Sequence, residues 1–331
     1  MVWVAAAEVA TVAAKKDFAG TSMRRRETAC RVRWACAVRS ERRLERTSVV
    51  DQPPFFFSKV PSAFSNCYAG RVSSGPLTIP RTNVLGVGVS AIDLPQAVAA
   101  IEDALQGRRK GYICFAGVHP VMEAQADIEL KRIYNRSFLT TPDGMPMVWL
   151  NRWHGKRHVS RVYGPDLMLE VFRLSEQRGY RQFFYGGTDG VAEAMRGEML
   201  KRFPKLQVVG TFEPPFRALN ESEEQQLIEQ ARACRPDIMW VGLGSPKQDR
   251  FMAAMLPKLE VTLMAGVGAA FNFFTGRVPQ APRWMQRSGL EWFYRCVHEP
   301  RVRARYFSTV PRFVLASLAQ SASLKHYEIL D

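Results

Sequence analysis

The chain has 331 residues, 47% of them apolar, and a formal net charge of +15. That length holds one large α/β domain with appendages or two modest domains, with enough apolar residues for a proper core. The charge points to an anionic partner: nucleic acid, an acidic membrane surface or a phosphorylated ligand. Six scattered cysteines without a CxxC, and five dispersed histidines, speak against a zinc site or a disulfide framework and fit a reduced cytoplasmic compartment. No apolar run approaches the length that spans a bilayer.

Residues 1–80 differ from the rest. They are rich in Arg, Ala and Ser, carry Arg24-Arg25-Arg26 and a Pro53-Pro54-Phe55-Phe56-Phe57 cluster, and show little periodicity. Val2–Ala14 has Glu8 inside it and no basic residue ahead of it, so it makes a poor signal peptide. The acid-poor composition is shared with organelle transit peptides, but a disordered basic extension, or sequence upstream of the true start, fits better. The catalytic body is expected from about Asn83.

From there the pattern is regular. Strands are expected at Asn83–Val89, Tyr112–Ala116, Phe138–Thr141, Gln182–Tyr185, Gln207–Thr211, Ile238–Leu243 and Val261–Val267. Helices are expected at Leu94–Gln106, His119–Asn135, Asp166–Arg178, Gly190–Phe203 and Glu221–Cys234. Strands alternating with helices indicate an α/β fold, a Rossmann-like, mainly parallel sheet flanked by helices. The body is assigned to 81–276, and 277–331 reads as a C-terminal helical, basic and aromatic appendage.

Several strand-to-helix loops carry chemistry. Gly244-Ser245-Pro246-Lys247-Gln248-Asp249 and Gly266-Val267-Gly268-Ala269-Ala270-Phe271-Asn272 follow the last two strands. Glycines at the carboxyl ends of parallel strands let backbone approach a ligand, and ligands of open α/β sheets bind there. Each loop alone is matched by the bland reading of a tight turn; two in succession favour a site. Thr140-Thr141-Pro142-Asp143-Gly144 puts a carboxylate on a turn just beyond a strand, although Asp-Gly also suits a plain turn or helix cap. In Arg161-Val162-Tyr163-Gly164-Pro165-Asp166, the acid also fits a first-turn helix charge. Tyr185-Gly186-Gly187-Thr188-Asp189-Gly190 opens a helix whose N-terminus could hold a phosphate.

These blocks, in order and spacing, resemble the motifs of the WecG/TagA/CpsF glycosyltransferases: Thr141–Pro146, Arg161–Leu167, Tyr185–Gly187, Val241–Gln248, Gly266–Phe273, and a closing segment with Ala281-Pro282-Arg283-Trp284 and Gly289-Leu290-Glu291-Trp292-Phe293-Tyr294-Arg295. The resemblance covers roughly Asn83 to Arg305. It implies an inverting transfer of a sugar, N-acetylmannosamine or another hexose, from a UDP-sugar to a polyprenyl-diphosphate-linked saccharide in surface polysaccharide synthesis. It implies Asp143 as the base. It also implies contacts to the nucleotide-sugar from Thr141, Arg161, Gly164, Asp166, Gly186, Gly187, Gly244, Lys247, Gln248 and Gly266. The chain departs from the family pattern after the second strand, where Gly117 stands at a position many members fill with asparagine. The donor is therefore not carried over, and His119 is weighed as either a cap or a substitute polar group.

With no Asp-x-Asp pair in the body, the resemblance favours metal-independent chemistry without a cofactor. The tail interleaves Trp284, Trp292, Phe293, Tyr294, Tyr306, Phe307 and Phe313 with Arg295, Arg301, Arg303 and Arg305. Aromatics and arginines on short helices suit an anionic headgroup layer. The expected location is peripheral, on the inner face of the plasma membrane, beside a lipid-linked acceptor; self-association into a homo-oligomer is compatible with the family. Two rivals remain: a dinucleotide-dependent oxidoreductase, for which Gly86-Val87-Gly88-Val89 lacks the third glycine, and a basic nucleic-acid binder, for which no recognised motif is present.

Overall fold

The structure, a computed structural model, describes residues 79–298 and 300–330. The leader read above lies outside the described residues except for 79 and 80, and the side chains of residues 300–302 are likewise outside them.

The segment Asn83–Val89, expected as one strand, is instead a hairpin: β1 (Arg81–Val84) pairs antiparallel with β2 (Val87–Ser90). Leu85 and Gly86 both take positive φ (53° and 83°), as a two-residue hairpin turn matched to strand twist requires. Asn83 Oδ1 accepts from the Gly86 N–H at 2.8 Å, while fully buried Leu85 accepts from Gln125 and donates to Gln320. The glycines of the would-be dinucleotide motif therefore sit in a hairpin rather than in a strand-to-helix turn.

Helix α1 (Leu94–Gln106) starts at a capping box of Asp93 and Gln96. Strand β3 (Gly111–Ala116) follows. The single helix expected at His119–Asn135 is two, α2 (Val118–Ala126) and α3 (Ile128–Arg136). Asp127 leaves helical geometry between them, and its side chain caps α3 through the Leu130 N–H. Next come β4 (Leu139–Pro142), α4 (Met145–Trp153), which periodicity did not reveal, and α5 (Gly164–Arg178). Then follow β5 (Arg181–Gly186), α6 (Val191–Arg202), β6 (Gln207–Phe212), α7 (Glu221–Cys234), β7 (Ile238–Gly242), α8 (Lys247–Met255), β8 (Leu263–Gly266) and the short α9 (Ala270–Phe274).

Strands β3 to β8 form one sheet in the order β4-β3-β8-β7-β5-β6, with every pairing parallel. The central strands are apolar on both sides because both faces are covered. Ile113, Phe115, Phe184, Trp240 and Ala265 join α1, α5 and α6 in one core. Tyr112, Cys114, Phe183, Met239 and Met264 join the hairpin, α3, α7 and α8 in the other. Trp240 is wholly buried, and its Nε1–H donates to Gln182 Oε1 at 2.8 Å, so its one polar group is satisfied.

The tail folds back over the body. Helices α10 (Arg283–Arg287) and α11 (Glu291–His298) are short, but α12 (Pro300–Ser321) runs for 22 residues with Pro311 inside it. Phe313, expected among the membrane-facing aromatics, is 4% exposed and belongs to the second core. The last residues are tied to the hairpin and α3: Asn83 Nδ2 donates to Tyr327 O at 2.6 Å, and Asn135 Nδ2 to Leu330 O at 2.8 Å. Among the described residues no helix is long and apolar enough to cross a membrane.

Candidate active site

The loops singled out in the sequence meet at the carboxyl edge of the parallel sheet. Asp143 leaves the end of β4, and its N–H bonds Ala116 O at the end of β3 (3.0 Å). The cap position of α4 belongs to Gly144, and the Asp143 side chain makes no cap bond, so the plain N-cap reading fails. About a third of that side chain (31%) is exposed, yet Oδ1 is sealed and has no hydrogen-bond partner. Burial pushes the carboxyl up to about 7, with Glu291 and Asp166 adding to the effect and Arg161 and Arg295 opposing it. A carboxyl held near neutrality and about one third exposed has the properties of a general base.

Arg161 ties the Asp143 loop to the tail. Its Nε–H donates to the Asp143 backbone oxygen, its Nη2 lies 3.9 Å from Asp143 Oδ1 and 2.5 Å from Glu291 Oε2, and its guanidinium sits 4.1 Å above the Tyr163 ring. Asp166, in the first turn of α5, is more than a helix-end charge. It is partly buried, and burial raises its pKa against Arg283 and Arg161. Thr141 is fully buried, with its hydroxyl turned to the Cys114 and Val162 carbonyls, both at 3.4 Å. It braces the loop, and Gly164 begins α5 beside Phe115 and Val267.

The loops after β7 and β8 are clamped together by Gln248. Its Oε1 accepts from the N–H groups of Gly244 (3.0 Å) and Gly268 (2.9 Å), and its Nε2 donates to Gly266 O (2.5 Å). The expected nucleotide contact is thus, in this structure, a brace under the two glycine loops. A Cβ on Gly266 would press on Met252 Cε at 2.8 Å and Gln248 Nε2 at 2.9 Å, so glycine here leaves room for the brace. Gly244, at φ +79°, has open space where a Cβ would be. Lys247 is exposed on the rim, its ammonium 4.7 Å from the Phe216 ring. Beneath the loop, Asp249 Oδ2 accepts from Ser245 Oγ (2.6 Å) and Tyr134 Oη (3.0 Å), a buried anchor that the loop motif alone does not reveal.

Gly186 packs against the neighbouring strand and Gly187 against the Val191 side chain. A Cβ on Gly186 would strike the Gly242 backbone at 2.8 Å on the neighbouring strand. The phosphate expected at the α6 N-terminus meets a resident anion there: Glu213 already accepts from the Gly190 and Ala192 N–H groups, at 2.9 and 2.7 Å.

The tail arginines divide. Arg295 acts on Asp143 and reaches Tyr306 Oη at 3.5 Å, and Arg305 lies by His119 with its Nε buried and without a hydrogen-bond partner. Arg303 is exposed and bonds Cys296 O, and the side chain of Arg301 is outside the described residues. His119, in the first turn of α2, is lowered to about 4 by burial and by Arg305, so it is neutral near pH 7 and its 3.7 Å approach to Glu123 is no ion pair there. Its Nδ1 is buried without a hydrogen-bond partner. Glu291 and Gln286 are site residues that motif reading passed over; the signal available was the acid inside Gly289-Leu290-Glu291-Trp292. Among the described residues no group of three or more His, Cys, Asp or Glu side chains could hold a metal ion.

A buried carboxyl beside arginines, at the carboxyl edge of a parallel sheet with glycine loops opposite, suits group transfer involving an anionic substrate. The sequence profile of the WecG/TagA/CpsF glycosyl transferases matches residues 82–327, and the chain belongs to that family. The match extends past Arg305 to include the whole of α12. Two similar proteins bear the same name, N-acetylglucosaminyldiphosphoundecaprenol N-acetyl-beta-D-mannosaminyltransferase. The one from Bacillus spizizenii W23 is 27% identical over 238 residues, 71% of this chain and 90% of that protein. The one from Bacillus subtilis 168 is 27% identical over 195 residues, 59% of this chain and 74% of that protein.

Proposed function

We propose that this glycosyltransferase moves a hexose, N-acetylmannosamine or a relative of it, from a UDP-sugar to a polyprenyl-diphosphate-linked saccharide with inversion. The observation that carries the reading is Asp143: a carboxyl raised towards 7, with Oδ1 unpartnered and part of the side chain exposed. The names of the two relatives support the acceptor class.

In this mechanism Asp143 takes the proton of the acceptor hydroxyl as that oxygen attacks the anomeric carbon. The bond from that carbon to the diphosphate breaks on the opposite face, and the electron pair leaves with UDP. Arg295, Arg305 and Lys247 are the cations that offset charge on the departing diphosphate, without a metal ion or cofactor. Arg161 orients the base, and Gln248 shapes the loops that meet the nucleotide.

The same reading places the protein peripherally on the inner face of the plasma membrane. Trp284, Phe293, Val297, Phe307, Leu315 and Leu318 of the tail are each more than half exposed, close in sequence to exposed Arg303. Apolar side chains with basic neighbours partition into an anionic headgroup layer, each basic residue contributing on the order of 1 kcal/mol. The test is transfer from a panel of UDP-sugars to a short-chain polyprenyl-diphosphate N-acetylglucosamine. Product of inverted anomeric configuration is expected; absence of transfer across the panel with a folded protein overturns the reading.

A further inference from the structure

At the seam between body and tail, one guanidinium stands between two carboxylates. Arg161 Nη2 is 2.5 Å from Glu291 Oε2 on α11 but 3.9 Å from Asp143 Oδ1, beyond hydrogen-bond reach. Its Nε is fixed to the Asp143 backbone oxygen and its Nη1 reaches Gln286 Oε1 on α10 at 3.5 Å. The Arg161 and Glu291 side chains are only 14% and 19% exposed, so little solvent screens the pair. Asp143 Oδ1 meanwhile has no hydrogen-bond partner.

We propose that Glu291 is a positioning residue for Asp143: the docked tail helix α11 holds the Arg161 guanidinium off the sealed Oδ1, so that the carboxyl stays unpaired and its exposed part can take the acceptor's proton. The inference rests on the reading of Asp143 as the base. Without Glu291, the other carboxylate within 4.0 Å of Arg161 is Asp143 itself, and a small rotation closes a charge-assisted hydrogen bond. That bond would occupy Oδ1 and stabilise the ionised carboxylate, making it a poorer base. The charged and titratable groups bearing on the two carboxylates are Arg161 and Tyr163 on the loop before α5, Asp166 on α5, Arg295 beside Glu291 on α11, and Tyr306 on α12. Removing Glu291 subtracts a negative charge from this set and brings a positive one closer, so both changes favour ionisation. The tail is then part of the base rather than a tether alone.

The experiment measures Glu291→Gln, which keeps shape and removes charge, in kcat and kcat/KM from pH 5 to 9. The acid limb is expected to fall by about one pH unit and kcat at pH 8 by about tenfold, with KM for the donor within about twofold. A second readout does not need turnover: the Asp143 carboxyl is titrated by carbon-13 NMR of aspartate-labelled protein, assigned with Asp143→Asn, and should titrate lower in Glu291→Gln. An unmoved limb and an unmoved titration, with Asp143→Asn inactive, overturn the role of Glu291 and leave the base reading intact. Turnover retained in Asp143→Asn overturns the base reading itself, and the inference with it.

Discussion

The two sides of the cleft treat their polar atoms in opposite ways. On the β7–β8 side, Gln248 satisfies both glycine loops, and Asp249 is held by Ser245 and Tyr134. On the side where the β4 loop meets the tail, Asp143 Oδ1, His119 Nδ1 and Arg305 Nε are all buried and without hydrogen-bond partners. Leaving a buried polar atom unpaired costs about 1–3 kcal/mol, so three such atoms make this the less satisfied side. The first side is a braced scaffold, and the second keeps polar atoms unpaired around Asp143.

The sharpest way to break this contrast is Asp143→Asn. If the unpartnered side performs the chemistry, kcat should fall by about 10²-fold or more with nucleotide affinity retained, as turnover and calorimetry will show. Gln248→Ala attacks the other side. It strips the Gly244 and Gly268 N–H groups of their acceptor, so UDP affinity should drop about tenfold and the melting temperature should fall without loss of the fold. Unchanged calorimetric affinity would mean that the loops need no brace.

The pH profile sharpens the contrast without mutation. Because Asp143 must be ionised to act and is raised to about 7, kcat/KM should climb with a half-maximum near pH 7. The linked effect on stability has the same origin. The folded protein keeps this proton where the unfolded chain has lost it, so the Asp143 contribution is full below about pH 4 and is lost as pH rises through about 7. His119 runs the other way. Lowered to about 4, its contribution is present above about 6.5 and is lost as pH falls through about 4, so wild type and His119→Gln should diverge in melting temperature below pH 6.

Smaller still is the membrane effect. Arg303→Gln should weaken sedimentation with anionic vesicles about fivefold, the equivalent of about 1 kcal/mol, and salt should weaken the wild type by screening. Native protein that ignores such vesicles at low salt would remove the membrane reading. The smallest expected change is none: a chelator should leave turnover within about 20% if the cations of the site suffice, a margin set by assay precision rather than by any energy term.

Much of this was legible before any coordinates. Short apolar runs closed by glycine could only be strands buried on both faces, and β7 and β8 lie within one or two residues of their expected ends. What periodicity missed had local causes. The hairpin turn at Leu85-Gly86 hid because a buried leucine sits where a polar turn residue is usual. Helix α4 hid because it opens with Met145-Pro146 directly after the Asp-Gly turn.

The sequence by itself determined the layered α/β body and the loops at its carboxyl edge, because apolar period and glycine placement act over a few residues and need no partner elsewhere in the chain. It also carried Asp143, since a carboxylate just past a strand end can hardly avoid that edge. Only the tertiary structure decided what the polar side chains do there. Gln248 turned inward to brace two loops, Glu213 took the helix end expected for a phosphate, and Glu291 came from 148 positions away, the difference between 291 and 143, to share Arg161 with the base. Such pairings depend on distances between elements remote in the chain, and a hydrogen bond or ion pair is settled within an ångström that no spacing along the sequence encodes.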